Sequence, residues 1–552
     1  MANNIKDLAE PFYGDLKSIQ QDILTKPFIV DKESSSCSNN NFEDNGQLKH
    51  EPLMDFQYEN CSDRYLLNDS DKLNFFTRQY FNYYRMRYAH FYPRIVENAK
   101  EIIGYDVTPI TLGDIKSSNE KVLVVGCLMK KMKNRQAVLR DLENTGDDQI
   151  EIQIQKEHDL ETLALETDFI EFEDYHKQVI TLKGNIDHFD FVTGFVIGIY
   201  GSQIAGNIFF VDEIILPSLP PYIERPMLQK DIYVVFTSGF NIKPENFSLF
   251  RELNYFSQLF SSEKYYNNIA RIIFAGNNAI TFRHNQTILN NVMPIGIPIE
   301  VDEKECALIA SNNFRRYFAN YDIDIMPGDI DPCPLMLPQQ PLSKVLLEDY
   351  DLPEKDEEID EKKEVQKEMK YDKKIETFKV QSFSSSSDAD IDGYDKAKDF
   401  WMIKSQGISK NNQRSLNPVT NPYIFKVMGV EFHGTSGQNV NCFRKLTKKG
   451  KSTLDIMEEI LESCHVVPTA PDFTDCFPYS RKNGTDPLAL DSLPHVFFAG
   501  NQKEFGTKVV DFGKGRKVRL ISIPKYDETH SMVIINLRTL ETSTIVSKHC
   551  PQ

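Results

Sequence analysis

The sequence has neither a disulfide framework nor closely spaced cysteines that would hold a metal. Its nine cysteines are scattered between Cys37 and Cys550, no two of them form a C-x-x-C pair, and their number is odd. Small secreted domains carry even sets of cysteines, and thiolate metal sites carry closely spaced pairs. The pattern is typical of a protein that folds in a reducing compartment.

Long apolar runs are also missing. The longest, around Phe191–Tyr200, is too short for a membrane-spanning helix, which needs ~20 residues. The first residues, Met1–Asn4, are polar and do not begin a signal peptide. We therefore expect a soluble, intracellular protein without a membrane partner.

Positive charge is scarce. The chain has 63 Lys and Arg against 81 Asp and Glu, which gives a formal net charge of -18. Such a protein is repelled by nucleic acid and by anionic membranes. The sequence also has no G-x-x-x-x-G-K-[ST] loop, the motif that cradles nucleotide phosphates. Direct DNA binding would need a local exception, and no nucleotide site is expected.

The length and the apolar content predict two packed domains with tails. A chain of 552 residues, 40% of them hydrophobic, exceeds what one core usually serves. We expect a disordered N-terminal tail over residues 1–65, an N-terminal helix and OB-fold domain over 66–225, and an α/β domain over 226–552. Residues 345–400 interrupt that domain, and the 13 acidic and 8 basic residues among 348–379 predict a solvated insertion.

A helix is predicted from Ser70 and Asp71, which are plausible N-cap residues. Apolar and aromatic residues follow near helical spacing, namely Leu73, Phe76, Tyr80, Tyr83, Tyr84 and Met86, with Arg78, Arg85 and Arg87 between them. A helix packed on its own core is favoured over an aromatic stripe that stacks on bases. Pro93 is expected to end or bend the helix.

Short strands dominate residues 121–216. The predicted strands are Lys121–Met129, Gln178–Lys183, Phe195–Tyr200 and Asn207–Leu216. About five such strands predict a small closed barrel, for which the OB-fold is the common architecture. The segment holds 9 Lys and Arg against 17 Asp and Glu. An acidic barrel favours protein docking over the basic groove that single-strand binding requires.

From Asp231 onward, apolar runs repeatedly end in a Gly or Asn turn, which is typical of α/β proteins. The runs are Ile232–Thr237, Ala270–Ala275, Phe425–Phe432 and His495–Ala499, and the turns after them are Ser238-Gly239, Gly276-Asn277, His433-Gly434 and Gly500-Asn501. Strand ends followed by tight turns are where α/β proteins place their sites. We expect these turns to outline a site.

The turns resemble those of the calcineurin-like metallophosphoesterases, in which D-x-H, G-D, G-N-H-D/E, a lone His and G-H-x-H surround two metals. Gly239–Asn241 stands in place of D-x-H, and Gly276-Asn277 stands in place of G-D. Pro327–Asp331 stands in place of G-N-H-D/E, and Gly500–Lys503 stands in place of G-H-x-H. His433 remains a good ligand. Metal pairs of this kind need carboxylates and imidazoles. An ammonium group at Lys503 would also repel a metal. The comparison implies that the ligands are lost, so no catalytic, metal or cofactor-binding residue is expected and no enzyme activity.

A phosphoesterase-like domain without ligands, preceded by an OB-like barrel, resembles the B-subunit family of eukaryotic replicative DNA polymerases. Stretches similar to the delta-type members are 326–332, 337–342, 434–439 and 495–502, together with 81–92, 182–187 and 533–540. They occur in collinear order from roughly residue 70 to residue 550, and P-Q-Q-P-L and G-T-S-G-Q-N are the specific ones. The acidic insertion and the long tail depart from the compact family pattern.

The resemblance implies an OB-fold barrel packed with a degenerate calcineurin-like phosphoesterase α/β sandwich. It also implies a nuclear, non-catalytic scaffold subunit, which holds the cysteine-rich C-terminal domain of the catalytic subunit of DNA polymerase delta, bridges to a third subunit and reaches DNA only indirectly. Three alternatives stay open: the corresponding accessory subunit of polymerase alpha or epsilon, an active metallophosphoesterase or nuclease, and a single-strand binding protein. The basic run Arg444–Lys451 is interpreted as a solvated loop in preference to an import signal or a DNA contact.

Overall fold

The structure is a computed structural model. It describes residues 55–67, 80–104, 107–116, 120–134, 162–204, 207–242, 249–278, 303–347, 414–478 and 486–547. All of these residues belong to one compact unit. No helix in these ranges is long and apolar enough to cross a membrane.

The N-terminal part is a closed five-stranded barrel with one added strand. The strands are β2 (Pro109–Ile110), β3 (Lys121–Lys131), β4 (Phe169–Asp174), β5 (Val179–Gly184), β6 (Val196–Ile204) and β7 (Ile208–Ile215). They pair in the order β2-β3-β4-β5-β7-β6, and β3 also pairs with β6, which closes the barrel. Only β2–β3 and β5–β7 are parallel. The closed barrel confirms the OB-fold expectation.

The first helix of the fold, α1 (Phe81–Ile102), lies on this barrel. Its Phe91, Ile95 and Ala99 are buried against strands β3, β6 and β7. Pro93 was expected to end or bend the helix; the helix continues through it, so Pro93 does not end it. The apolar face on either side of the proline keeps the helix on the barrel. The predicted start at Ser70 lies outside the described residues.

Two further six-stranded mixed sheets follow the barrel. One has the order β1-β12-β13-β14-β16-β15 and the other the order β11-β10-β9-β8-β17-β18. Their strands are β1 (Tyr58–Asn60), β8 (Tyr233–Thr237), β9 (Ile269–Ala275), β10 (Ile323–Met326), β11 (Leu416–Pro418), β12 (Tyr423–Val427), β13 (Val430–Thr435), β14 (Val496–Gln502), β15 (Gly506–Asp511), β16 (Lys517–Pro524), β17 (Ser531–Asn536) and β18 (Thr542–Val546).

The two sheets share one apolar core, to which Phe236, Phe425, Phe432 and Phe498 belong. Helices pack on their outer faces: α2 (Leu249–Phe260), α3 (Glu303–Tyr317), α4 (Gln438–Leu446), α5 (Thr453–Glu462) and the short α6 (Tyr526–Thr529). The core around α4 and α5 continues into the barrel core, so these two helices join the barrel to the sandwich.

The packed part of the chain begins earlier than expected. The expected disordered tail included residues 55–65, but Tyr58–Asn60 pair with β12 as strand β1, and Tyr65 is buried. Burial of tyrosine rings and pairing with a sheet edge offset the entropy of ordering this short polar segment. The rest of the expected tail, and most of the expected acidic insertion, lie outside the described residues.

One predicted strand is two strands. The run Phe425–Phe432 contains the tight turn Met428-Gly429 between β12 and β13, and Val427 pairs with Val430 across it. Both turn residues have positive φ, 51° and 77°, as a type I′ hairpin requires. Strand β13 ends at Thr435, three residues later than the predicted run.

Candidate functional site at the strand ends

The predicted turns meet at one edge of the sandwich. The Gly239 amide donates to Gly276 O at 2.9 Å, which joins the end of β8 to the end of β9. The Asn501 side chain donates from Nδ2 to Ser436 O at 2.8 Å and to Ala275 O at 3.2 Å. Residues from β8, β9, β13 and β14 thus come together, as the sequence predicted. We call this group, with the segment after β10, the strand-end cluster.

Asparagines with left-handed backbone conformation stand at three positions of the cluster. Asn241, Asn277 and Asn501 have φ of 47°, 59° and 55°. Asparagine tolerates this conformation better than most residues. At Gly500-Asn501 the pairing of β14 with β16 shifts register, so this feature is a bulge within the strand, whereas a turn was expected. The glycine and asparagine pattern therefore has a structural cause.

The carboxylate of Asp331 is occupied by the backbone. It accepts hydrogen bonds from the amides of Asn277 and Asn278, both at 2.8 Å, and of Gly328 at 2.7 Å. Asp331 is buried. Three backbone donors satisfy an ionised carboxylate in a buried place. This side chain holds the ends of β9 and β10 together.

A second group is an amide network around Gln339. Its Oε1 accepts from Asn421 Nδ2 at 2.7 Å and from Gln438 Nε2 at 2.9 Å, and its Nε2 donates to Gly328 O at 2.9 Å. Asn421 Nδ2 also donates to Ser436 Oγ at 2.7 Å. The two specific motifs, P-Q-Q-P-L and G-T-S-G-Q-N, therefore interact directly. Sequence reasoning missed Asn421, which lies outside every quoted motif.

The cluster is closely packed where glycines stand. A Cβ atom added at Gly276 would lie 2.4 Å from Ser436 Cβ, and one added at Gly437 would lie 2.0 Å from Gly500 O. Both glycines also have positive φ, 88° and 97°, which side chains rarely adopt. Glycine is required here for close approach of the strand ends.

The role of His433 differs from that of the residues in the strand-end cluster. It sits within β13, is buried, and its Nε2 donates to Glu431 Oε1 at 2.8 Å. Although burial opposes it, the His433 hydrogen bond lowers the pKa of Glu431 to about 2. His433 lies inside strand β13 and not in a turn after it, because the strand continues to Thr435. The side chain predicted as a good ligand is paired with a carboxylate.

Charged groups near the cluster do not converge. Asp329 and Lys503 are exposed, whereas Asn501 and Gln502 are buried. Within the described ranges no group of three or more His, Cys, Asp or Glu is arranged to hold a metal ion. The cluster offers neutral amides, the Asp331 carboxylate engaged by backbone donors and the Asp527 carboxylate, which accepts from Asn241 Nδ2 at 2.7 Å. This set does not fit a di-metal centre, which needs several anionic oxygens and imidazoles. The geometry favours a structural joint.

The arginine of the aromatic helix is also structural. Arg87 is fully buried, and its Nε donates to Asp486 Oδ2 at 3.0 Å. Asp486 accepts a second bond from His465 Nε2 at 2.8 Å, and His465 Nδ1 accepts from the Val467 amide. Burial and the Arg87 charge lower the pKa of His465 to about 4, so its imidazole is neutral. The prediction that this helix packs on the protein's own core is confirmed for Arg87.

The basic run is largely built into the fold. Its first part belongs to α4, Arg444 donates to Gln502 Oε1 at 3.0 Å, and Leu446 and Thr447 are buried. Lys448 and Lys449 are exposed. The expected solvated loop is therefore correct only for Lys448–Gly450, because Lys451 is paired with Glu459 and is 16% exposed.

Comparison with known proteins fits this architecture. Residues 79–214 match the family model of the DNA polymerase delta subunit OB-fold domain. Residues 234–352 and 402–507 match the model of the B-type subunits of DNA polymerases alpha and epsilon. Together the two models match about two thirds of the chain. The class of protein is thus that of the B-type subunits of DNA polymerases.

Comparison with individual relatives identifies which B-type subunits the chain resembles. The chain is 27% identical to the DNA polymerase delta small subunit of Oryza sativa subsp. japonica, over 89% of this chain and 97% of the relative. It is 26% identical to the DNA polymerase delta small subunit of Saccharomyces cerevisiae, over 85% of this chain and 89% of the relative. The corresponding values for the Arabidopsis thaliana small subunit are 28%, 77% and 82%. The chain belongs to the family of DNA polymerase delta small subunits.

Proposed function

We propose that this protein is a non-catalytic accessory subunit of DNA polymerase delta. In this role it holds the cysteine-rich C-terminal domain of the catalytic subunit and bridges to a third subunit in DNA replication and repair. The names of its relatives and their coverage of most of both chains support the assignment. An acidic barrel and a closed strand-end cluster leave its surfaces chiefly for protein contacts.

One observation carries the non-catalytic part of the proposal. At the strand ends, where a phosphoesterase holds its metals, the Asp331 carboxylate accepts from three backbone amides and Gln339 bonds to Asn421 and Gln438. A metal would have to break these bonds. We infer a degenerate calcineurin-like phosphoesterase domain over residues 226–552, which follows the helix and OB-fold domain of residues 66–225 and has lost its ligands.

The protein works in the nucleus under this proposal, since DNA replication takes place there. It reaches DNA only through the assembled polymerase, because its net charge of -18 repels phosphates. The basic run at Arg444–Lys451 does not change this. Part of the run is engaged within the fold, and Lys451 is paired with Glu459 and Asp190.

Co-expression tests the partner. The full chain is expressed with the C-terminal domain of the catalytic subunit and passed over a gel-filtration column at low and at high salt. We expect one peak that survives high salt, since permanent subunits bury large apolar interfaces that salt barely screens. A chain that elutes alone and binds an oligonucleotide with steeply salt-dependent affinity would instead support single-strand binding.

The alternatives are separated by two further measurements. Because the sandwich matches an alpha/epsilon model, the C-terminal domains of the alpha, delta and epsilon catalytic subunits should compete for the chain. We expect the delta domain to win. An active phosphoesterase would carry about two manganese or zinc ions per chain and lose hydrolysis in His433→Ala, whereas we expect neither metal nor hydrolysis.

A further inference from the structure

A basic cleft lies where helix α1, the segment after β7 and the turn between β15 and β16 meet. Its lining consists of Arg94, Glu97, residues 218–222, Lys514 and Arg516. The cleft opens to solvent and has a volume of about 480 Å³. This size is typical of sites that bind small ligands. We call this site, which shares no residue with the strand-end cluster, the basic cleft.

Positive charge predominates in the basic cleft, although the chain as a whole carries a net charge of -18. Arg94, Lys514 and Arg516 are accompanied by one carboxylate, that of Glu97. Neither arginine forms an ion pair with a residue that the structure describes. Lys514 Nζ lies 3.9 Å from Glu101 Oε2, and the two side chains are 76% and 62% exposed. Exposed pairs contribute little, so the cleft keeps most of its positive charge.

Backbone carbonyls hold the two arginines in place. Arg94 Nε donates to Ser218 O at 2.8 Å. Arg516 Nε donates to Gly513 O and its Nη2 donates to Phe512 O, both at 3.1 Å, while its Nη1 makes no hydrogen bond with the described part of the chain. Carbonyl partners fix a guanidinium without neutralising its charge. An anion that binds here therefore meets cations whose side-chain freedom is already restricted, which lowers the entropic cost of binding.

The turn that carries Lys514 has an uncommon backbone. Gly513, Lys514 and Gly515 have φ of 75°, 54° and 79°. A Cβ atom added at either glycine would have no atom within 4 Å, so packing does not require glycine there. A lysine in the left-handed region is uncommon, and residues held in such conformations cluster at functional sites. The turn places Lys514 in the lining of the cleft at a cost in backbone energy, which indicates a use for its charge.

The remaining part of the lining is apolar and rigid. Residues 219–222 are a leucine, two prolines and a tyrosine. The proline rings fix φ and lack an N–H donor. Tyr222 donates from its hydroxyl to Lys517 O at 3.3 Å, and its ring packs edge-on against His495 with 5.5 Å between the centroids. A ligand would therefore meet a fixed apolar surface beside fixed cations.

We propose that the basic cleft binds a short acidic segment of a partner protein, in which Asp or Glu stands beside a large apolar residue. The carboxylates of this segment contact Lys514 and the Nη1 atom of Arg516, and the apolar side chain packs on residues 219–222. The proposal goes beyond the proposed function, because binding of such a segment does not depend on assembly with a polymerase.

Nucleic acid is the less suitable occupant. Single-strand binding combines a basic groove with aromatic rings that are free to stack on bases. Tyr222 supplies the only aromatic ring of the lining, and its contacts with Lys517 and His495 hold it in place. The carboxylates of Glu97 and Glu101 beside the cations also repel phosphates. A peptide can avoid them, because its charges are fewer and farther apart.

The test measures binding of two fluorescein-labelled peptides, E-E-L-F-E-E and Q-Q-L-F-Q-Q, to the full chain by fluorescence anisotropy. The double variant Lys514→Glu, Arg516→Glu reverses both charges of the turn. The single variant Lys514→Glu leaves the hydrogen bonds of Arg516 intact. The control Lys448→Glu, Lys449→Glu makes the same change in net charge at exposed residues outside the cleft. Thermal melting verifies that every variant is folded.

We expect E-E-L-F-E-E to bind and Q-Q-L-F-Q-Q to bind at least about 10-fold more weakly, because the amides offer no charge to the cations. The double variant should raise Kd for the acidic peptide about 10-fold or more, and Lys514→Glu about threefold. The control should change Kd about twofold at most, since it acts only through the screened field of the whole protein.

Each other outcome counts against the proposal. Absent binding of the acidic peptide, equal binding of the two peptides, or equal effects of the cleft and control variants would mean that the cleft does not recognise carboxylates. Tighter binding after deletion of residues 350–395 would mean that the acidic segment of this chain, and not a partner, is the occupant. If a labelled oligothymidine binds and the cleft variants alone lose that binding, the cleft is a nucleic-acid site. The co-expression experiment tests the proposed function separately from all of these results.

Discussion

Arg87 and Asp486 form an ion pair that is entirely enclosed, with both side chains at 0% exposure and 3.0 Å between Nε and Oδ2. The guanidinium also donates to Gly194 O at 3.1 Å, Pro468 O at 3.0 Å and Ala470 O at 2.8 Å. One side chain on α1 therefore ties the barrel to the segment after α5. Its charge is compensated and its donors are used.

Replacing Arg87 with methionine should destabilise the protein strongly. The substitution preserves most of the side-chain volume but leaves the Asp486 carboxylate buried without its cation, which costs about 3–5 kcal/mol. Urea unfolding measures the change. Arg85→Met, two residues away on the exposed side of α1, is the control and should cost about 1 kcal/mol or less. Equal effects of the two variants would contradict an energetic role of the buried pair.

Acidification should weaken the fold through His465. Its folded-state pKa is lowered to about 4, so between that pH and the ordinary value near 6.5 the unfolded chain binds a proton that the folded chain does not. Stability is therefore lost as pH falls through this window. Wild type should lose about 2 kcal/mol more than His465→Gln between pH 7 and pH 5. Parallel losses would mean that the pKa of His465 is not lowered in the folded protein.

Asp331→Asn should loosen the strand-end cluster. The asparagine amide can no longer accept from all three backbone donors, and its own NH2 group faces one of them. Leaving buried donors unsatisfied costs about 2–4 kcal/mol here. Thermal melting gives the comparison with Asp329→Asn, which changes an exposed carboxylate two residues away and should leave the melting temperature unchanged. If Asp331→Asn leaves the melting temperature unchanged, the three hydrogen bonds are dispensable.

The sequence predicted elements whose signals are local. Alternating apolar residues located β3, β5, β6 and β7, and the Gly-Asn pairs located the strand ends. Strand β4 (Phe169–Asp174) was missed because three of its six residues are acidic. Two of them, Glu171 and Glu173, occupy outward positions, while Ile170 and Phe172 are buried, so the alternation was present but masked by charge. The hairpin at Met428-Gly429 was missed because an apolar turn residue extended the run.

Long-range partnerships were beyond sequence reasoning. Asp486 pairs with Arg87 across 399 positions, and no local pattern relates the two. Asn421 reaches Gln339 and Ser436 only after β12 pairs with β13 and β10 with β11. The types of residue at the strand ends could be read from the turns. The hydrogen bonds between these residues could not be predicted from the turns, because they depend on how the two sheets meet.

Restoring one acidic residue to the cluster tests whether it retains any capacity for metal. Asn277 is buried, and its backbone amide already donates to Asp331 Oδ2. Asn277→Asp therefore places a second buried carboxylate next to the first, and like charges in a low dielectric are costly unless a cation joins them. We expect a loss of about 2–4 kcal/mol at neutral pH that millimolar Mn²⁺ does not reverse.

The same substitution at an exposed site, Asn60→Asp, is the control, because its Oδ1 can still accept from the Ser62 amide. It should leave stability unchanged with or without manganese. The expected failure of Mn²⁺ follows from the surrounding groups: Asn241, Asn278 and Asn501 supply amides, and the Asp331 oxygens are held by backbone donors. The Asp527 carboxylate is engaged by Asn241 Nδ2. A rise in melting temperature of Asn277→Asp with added Mn²⁺, absent from the control, would mean that the strand ends can still assemble around a metal, and the structural-joint interpretation would then be wrong.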